Sequence, residues 1–203
     1  SSPGVQILDP FVGTGNFILR VLREINPLQL EHQYREELHG NEVMLLPYYI
    51  ACMNIEHAFY ERTGKYVPFE GICLVDTFEL VEEKQQELFV PANTQRVFRQ
   101  QEAPILVILG NPPYHVGQQN ENDNNKNRKY PALEKLIAKS YAKDSKATNK
   151  NALSDTYVKA FQWATWRLQG TKEGMVAFVT NNGFIDNVGF DGMRTQLAKD
   201  VSK

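Results

Sequence analysis

The stretch Ile105-Leu106-Val107-Ile108-Leu109-Gly110-Asn111-Pro112-Pro113-Tyr114 decides the fold of this 203-residue chain. Its consecutive large aliphatic residues predict a strand buried on both faces, as the central strands of parallel sheets are. Gly110 then frees the backbone, and the two prolines after Asn111 prevent a helix or a strand from continuing. The strand must therefore end in a stiff loop at its carboxyl edge.

The loop after this strand carries groups that suit a planar amino group. Open α/β sheets bind their ligands at the carboxyl edge, which is where this loop lies. Asn111 offers a side-chain oxygen acceptor, Pro112 offers a carbonyl, and Tyr114 offers a flat aromatic face. The alternative interpretation is a strand-ending turn, with Pro112 and Pro113 present only to stop the strand.

The composition limits the classes of protein to consider. With 42% hydrophobic residues, the chain can bury the core of one globular domain, and its net charge of −2 does not indicate an independent nucleic-acid binder. Cys52 and Cys73 lie in apolar sequence, so we expect reduced core residues of a cytoplasmic protein. No apolar run reaches membrane-spanning length. The four histidines lack metal-ligand spacing, so no metal site is predicted.

A second motif lies near the start of the chain. A short strand at Val5-Gln6-Ile7-Leu8 leads through Asp9-Pro10-Phe11-Val12-Gly13-Thr14-Gly15-Asn16-Phe17 into a helix that we expect to reach about Glu24. Gly13 and Gly15 allow the backbone to pass close to a ligand at the helix amino terminus. Ile18 stands where a dinucleotide fingerprint would have its third glycine, and no P-loop lysine follows. The acid at the strand end favours a cationic amine or sulfonium ligand.

Together, the two motifs resemble those of N6-adenine DNA methyltransferases. The order, with the S-adenosylmethionine loop before Asn-Pro-Pro-Tyr, is that of type I modification subunits and of type IIG and ISP restriction-modification polypeptides. The resemblance implies the Rossmann-like, doubly wound, mainly parallel α/β sheet of class I S-adenosylmethionine-dependent methyltransferases, with strand order 3-2-1-4-5. The family has a segment before the first strand and further strands after the last, so we expect a single partial domain over residues 1–203, truncated at both ends.

The resemblance also assigns roles to residues. Glu42, at the end of a second short strand, would bind the cofactor ribose, although an acid there also suits a helix amino terminus. Asp76 would reach the adenine of the cofactor and Phe78 would cover its ring. The full cofactor-binding set is Asp9, Pro10, Phe11, Gly13, Thr14, Gly15, Phe17, Glu42, Asp76 and Phe78. The catalytic set is Asn111, Pro112, Pro113 and Tyr114, with the target adenine stacked between Tyr114 and Phe190, or Phe184 as the second choice.

The remaining segments give less specific expectations. A helix over 44–62 should bury a wide apolar face that includes Leu45, Tyr49 and Met53. Residues 79–103 should form a helix followed by irregular chain, and Met175–Thr180 should form a fifth buried strand. Residues 118–129 and 143–150 are polar and should be mobile loops, the first being either a plain connector or a flap that contacts DNA.

The implied function is the transfer of a methyl group from S-adenosylmethionine to a flipped adenine by one domain of a bacterial restriction-modification system. Double-stranded DNA would be the partner, bound through a recognition region outside this chain. Two alternatives stay open. One is methylation of a glutamine amide in a protein, which poses the same electronic problem, and the other is a non-catalytic S-adenosylmethionine-binding regulatory module.

Overall fold

Five short segments pair into one all-parallel sheet in a computed structural model, which describes residues 4–82, 91–113, 128–143, 145–146 and 151–201. The strands are β1 (Gln6–Asp9), β2 (Leu38–Glu42), β3 (Ile72–Leu74), β4 (Ile105–Gly110) and β5 (Met175–Phe178). Their order, β3-β2-β1-β4-β5, confirms the predicted order and reverses direction between β1 and β4. The carboxyl ends of β1, β2 and β4 therefore come together at the switch point where such sheets bind ligands.

Eight α-helices accompany the strands within the described residues. They are α1 (Asn16–Glu24), α2 (Leu30–Glu36), α3 (Leu45–Thr63), α4 (Pro91–Glu102), α5 (Pro131–Lys139), α6 (Thr156–Arg167), α7 (Gly183–Asp186) and α8 (Asp191–Asp200). The chain divides into two compact units. The first contains residues 4–77, 91–111 and 170–178, and so includes the whole sheet with α1 to α4. The second contains the other described residues, including α5 to α8.

The core of the first unit lies between the sheet and helices α1, α2 and α3. Ile18 and Leu22 of α1 and Ile55 of α3 are buried in it together with Ile7 of β1. Tyr34 of α2 stacks on Phe59 with ring centroids 4.0 Å apart, and its hydroxyl donates a hydrogen bond to the Val67 carbonyl over 2.8 Å. This aromatic pair is fully buried and satisfies its one polar atom, so it stabilises the layer beneath the sheet.

Helix α4 lies where irregular chain was expected before β4, and residues 83–90 of the segment expected to begin with a helix lie outside the described residues. A 3₁₀ turn (Thr77–Val81) comes first, and α4 then runs from Pro91 to Glu102, close to the start of β4. Proline fits the first turn of a helix, where no intrahelical partner exists for the missing N–H, so Pro91 starts the helix instead of breaking it. The side chain of Asn93 in α4 accepts a hydrogen bond of 2.8 Å from the Leu74 N–H and donates one of 2.9 Å to the Leu74 carbonyl. Two backbone groups of the edge strand β3 thus have hydrogen-bond partners.

Helix α3 buries a much narrower face than its sequence predicts. The buried residues are Ala51, Ile55 and Phe59, which recur at every fourth position. Leu45, Tyr49 and Met53 were expected in the core, but they are 55%, 57% and 70% exposed. Tyr48, Cys52 and Ala58 pack only partly against the core beside this stripe, and the apolar residues farther from it face solvent.

Strand β5 is the edge of the described sheet and is not buried as expected. Met175 and Ala177 are exposed, and Val176 and Phe178 are half-buried. The strand pairs with β4 on one side, in the register Val107↔Met175 to Gly110↔Phe178. An apolar sequence therefore predicted the strand correctly, but burial depends on what packs against it, which sequence does not show.

The second unit has its own aromatic core. Tyr141, Tyr157, Val158, Phe190 and Met193 are buried together in it. The carboxylate of Glu82 accepts hydrogen bonds from the backbone N–H groups of Ala132 and Leu133, and so caps the amino terminus of α5. Of the two loops predicted to be mobile, 118–127, 144 and 147–150 lie outside the described residues.

The cysteines are free thiols, as expected. Cys73 on β3 is buried, and burial raises the pKa of its thiol to about 12. Cys52 on α3 is half-buried, and burial raises its thiol pKa as well. Within the described residues, no helix is both long enough and apolar enough to cross a membrane.

Candidate functional site at the carboxyl edge of the sheet

Residues 9–15, which the sequence predicts to bind a cofactor and which are here named the cofactor loop, leave β1 and enter α1 in a tight turn. Gly13 and Gly15 adopt left-handed backbone conformations with φ of 55° and 95°, which side chains disfavour. The Val12 N–H donates to the Asn41 carbonyl over 3.0 Å, and the Gly15 N–H donates to the Val12 carbonyl over 2.9 Å. Both glycines predicted to shape the loop are thus required by the backbone.

Glu42 lies beside the cofactor loop and holds it. Its Oε2 atom accepts a hydrogen bond of 2.9 Å from the Gly13 N–H, and its Oε1 atom accepts one of 2.8 Å from the Met44 N–H just before α3. Each carboxylate oxygen has a second acceptor site, so a hydroxyl ligand could bind there too. The sequence placed Glu42 at this edge but did not indicate that it ties the loop to β2.

Asp9 is the most perturbed acid of the site. Its side chain is fully buried, and Oδ1 accepts a hydrogen bond of 3.0 Å from the Phe11 N–H. The buried Oδ2 atom has no hydrogen-bond partner among the described residues. Burial, with a smaller contribution from the negative charge of Glu42, raises the pKa of Asp9 to about 7, although the Phe11 N–H acts in the opposite direction. An unpaired buried carboxyl oxygen is suited to a cationic ligand.

The end of β4 packs directly against Asp9. A Cβ atom placed on Gly110 would lie 2.7 Å from Asp9 Oδ1, so any larger residue here would displace the Asp9 carboxyl group. Asn111 follows and is exposed. The structure therefore brings the cofactor loop and Asn111, about a hundred residues apart in sequence, to the same edge.

The other members of the catalytic set are less fully described. Pro112 is buried and Pro113 is exposed, and both belong to the second unit. Tyr114 lies outside the described residues. Its role stays a prediction.

Two polar residues that the sequence did not single out also fix the cofactor loop. Thr77 is buried after β3, and its hydroxyl donates a hydrogen bond of 2.6 Å to the Pro10 carbonyl. Asn54 of α3 donates from Nδ2 to the Thr14 carbonyl over 3.0 Å. Asn54 is one of several polar residues of α3, so the sequence gave no signal for this contact. Asp76, next to Thr77, is buried as well.

The predicted aromatic site residues have different surroundings. Phe17 is half-buried in the first turn of α1. Phe78 is buried in the second unit, edge-on to Tyr130 with ring centroids 5.3 Å apart. Phe190 is buried against Tyr157 at 5.8 Å. The ligand contacts proposed for Phe78 and Phe190 stay predictions, and in this chain both rings pack in a core.

Phe178 is an aromatic neighbour of the cofactor loop that the sequence did not indicate. It is the last residue of β5 and pairs with Gly110. Its ring contacts that of Phe11, with centroids 6.2 Å apart and planes inclined by 56°. No signal in the sequence separates Phe178 from the other apolar residues of its strand.

Comparison with known proteins agrees with this geometry. The model of the N-6 DNA methylase family matches residues 1–199. Among curated proteins, no sequence matches the chain. A cryo-EM structure of a DrdV–DNA complex is 44% identical with a TM-score of 0.91, over 98% of this chain and 19% of that chain.

Two Type ISP restriction-modification enzymes are similar to the same extent. LlaBIII bound to DNA is 44% identical with a TM-score of 0.87, over 97% of this chain and 14% of that one. A nuclease-deletion mutant of LlaGI with a DNA substrate mimic is 47% identical with a TM-score of 0.88, over 98% of this chain and 17% of that one. This chain thus spans less than a fifth of each of these larger proteins. With a family match over nearly its whole length, the chain belongs to the N-6 DNA methylase family.

Proposed function

We propose that this chain is the catalytic part of an S-adenosylmethionine-dependent DNA adenine-N6 methyltransferase within a restriction-modification polypeptide. The observation that carries the proposal is the contact between Asp9 of the cofactor loop and Gly110, the residue before Asn111. That contact joins a loop suited to a cationic cofactor to a loop suited to a planar amino group.

The residues of the first unit fit S-adenosylmethionine. Its amine or sulfonium would find the unpaired Oδ2 atom of Asp9, and its ribose would find Glu42. The turn at Gly13 and Gly15 allows close approach of the backbone, and Asp76 would bind the adenine. When bound, the cofactor supplies a methyl group whose bond to the positively charged sulfur breaks, with the electron pair left on sulfur, as N6 bonds to the carbon.

Asn111 would activate the amino group of adenine. The lone pair of N6 is delocalised into the ring, so it is a poor nucleophile until its hydrogens are drawn out of the ring plane. The Asn111 side-chain oxygen and the Pro112 carbonyl can accept these two hydrogens and hold N6 in a reactive geometry. Tyr114 would stack on the flipped base. The methylated amine is acidic enough to lose its extra proton to water, so no strong base is required.

The DNA partner is part of the proposal. The three related structures are described as complexes with DNA or with a DNA substrate mimic. The net charge of −2 provides no excess of cations for phosphate contacts, so we expect residues 1–203 alone to bind duplex DNA weakly and without sequence preference. A salt titration of DNA binding measures this. Tight, sequence-selective binding by these residues would show that they read bases themselves.

The decisive experiment measures transfer of a labelled methyl group by the complete polypeptide that contains this chain. The acceptors are unmethylated DNA, the same DNA already methylated at adenine N6, and a protein carrying a target glutamine. Label in unmethylated DNA alone supports the proposal. Label in protein supports the glutamine alternative, and cofactor binding without transfer to any acceptor supports the regulatory alternative.

A further inference from the structure

Two phenylalanine rings form an aromatic wall at the carboxyl edge of the sheet. Phe11 belongs to the cofactor loop and donates its N–H to Asp9. Phe178 ends β5 and pairs with Gly110, the residue whose Cα faces the same Asp9 carboxyl group. The rings contact one another at 6.2 Å. The wall therefore lies beside both Asp9 and the strand that carries Asn111.

This pair differs from the aromatic pairs of the core. Tyr34 and Phe59 are both 0% exposed and stack at 4.0 Å. Phe11 and Phe178 are only half-buried, and their rings are inclined by 56°. The two rings thus keep part of their surface accessible at the edge of the sheet where folds of this type bind ligands.

The chemistry around the wall fits a cation that forms no hydrogen bonds. The face of a phenylalanine ring is electronegative and attracts a positive charge, but it offers no conventional hydrogen-bond acceptor. Asp9 adds a carboxyl group with an unpaired oxygen. An ammonium group needs several acceptors to replace its water, whereas a sulfonium has no proton to donate and loses little by contacting ring faces.

We propose that Phe178, together with Phe11, contacts the sulfonium of S-adenosylmethionine and gives the site a preference for the charged cofactor over its neutral thioether product, S-adenosylhomocysteine. This inference rests on the proposed function and adds a selectivity residue, Phe178, to it. A site with this preference releases the spent cofactor and binds a fresh molecule, because only the charged form is attracted by the rings.

The test is calorimetric titration of the complete polypeptide with S-adenosylmethionine and, separately, with S-adenosylhomocysteine. Phe178→Leu and Phe11→Leu keep an apolar side chain but remove the ring. Each should weaken binding of S-adenosylmethionine by about 3- to 30-fold, the range expected for one cation–π contact, and leave S-adenosylhomocysteine within about twofold. Phe178→Tyr keeps the ring and should retain the preference. Phe98→Leu, which removes a phenylalanine that is 53% exposed on α4, is the matched control.

Pentafluorophenylalanine at position 178 covers the case in which a leucine variant does not fold, because it keeps the shape of the ring and reverses the charge of its face. It should lose the preference as Phe178→Leu does. Equal losses for both ligands, or none for either, would overturn the proposal and leave the rings as packing. Reduced affinity for DNA at unchanged cofactor affinity would also overturn it and assign the rings to the target base. A wild-type protein that binds neither ligand would instead refute the proposed function.

Discussion

The cofactor loop and the end of β4 are built in opposite ways, although they lie against each other. The cofactor loop is held by side chains from three other segments, namely Glu42, Asn54 and Thr77. The end of β4 leaves Asn111 exposed and touches the cofactor loop through Gly110 and Asp9. This difference fits the roles proposed for the two regions, because a loop that binds a cofactor benefits from a fixed shape, whereas a loop that receives a flipped base would have to leave its acceptor accessible.

The largest effect should come from breaking the end of β4 alone. Asn111→Ala removes an acceptor that matters most as N6 changes geometry, so methyl transfer should fall by at least about 10²- to 10³-fold. Cofactor affinity should stay nearly unchanged. Single-turnover methylation and calorimetry measure the two quantities. Asn26→Ala, which removes a turn amide in the same unit, is the control.

If Asn111→Ala methylates DNA at the normal rate, the acceptor role is wrong. Asn-Pro-Pro-Tyr would then be only a strand-ending turn. A parallel loss in the Asn26→Ala control would show that the assay responds to stability and not to chemistry.

Asp9 belongs to the cofactor loop and contacts the end of β4 at Gly110. Its ionisation should make the stability of the ligand-free protein depend on pH. Burial raises the pKa of Asp9 from 3.8, its ordinary value, to about 7 in the folded state. Between these two pH values, the folded protein keeps a proton on Asp9 that the unfolded protein has already released. Stability should therefore fall as the pH rises from about 4 to about 7, by up to about 4 kcal/mol at 1.36 kcal/mol per pKa unit.

Asp9→Asn should remove this decrease, because the amide does not ionise. Denaturant unfolding at pH 5 and pH 8, with and without the substitution, measures the difference. Asp186→Asn, at an exposed position on α7, should leave the wild-type pH dependence intact. A wild-type protein with equal stability at both pH values would show that Asp9 is ionised in the fold.

A substitution at Glu42 tests the cofactor loop without altering the end of β4. Glu42→Ala removes a carboxylate that accepts from two backbone N–H groups and that would bind the ribose, so cofactor affinity should fall by about 1.5–3 kcal/mol. Turnover at saturating cofactor should change much less. Titration calorimetry and saturation kinetics separate the two, and Glu36→Ala at an exposed position on α2 is the control. An unchanged affinity would leave Glu42 as a structural support for the turn.

Gly110 gives the smallest expected effect and the sharpest test of the contact between the regions. Gly110→Ala places a methyl group against Asp9 Oδ1, which should destabilise the fold by about 1–3 kcal/mol. Asp9→Ala removes the obstacle, so the double substitution should recover part of that loss. Denaturant unfolding of the four proteins gives the coupling energy. Additive effects would mean that the two residues do not meet in solution.

Much of the fold could be read from local sequence. Apolar runs that stop at Asp9-Pro10 and at Asn111-Pro112 predicted where two parallel strands end, and the resemblance supplied their order. Gly13 and Gly15 were predicted to shape a turn, and both have positive φ. These features depend on neighbouring residues only, which is why a pattern of residue types reveals them.

Tertiary structure decided the contacts on which the site depends. Glu42 reaches Gly13 across 29 positions, and Gly110 and Phe178 meet the cofactor loop across far more. Sequence also overestimated the buried face of α3 and the burial of β5, because an apolar residue does not show whether anything packs on it. Residue types determined which strands could form and where they had to stop. Only the tertiary structure decided which acids, glycines and rings lie together. Those contacts depend on the order of distant strands in the sheet, which local sequence preference does not determine.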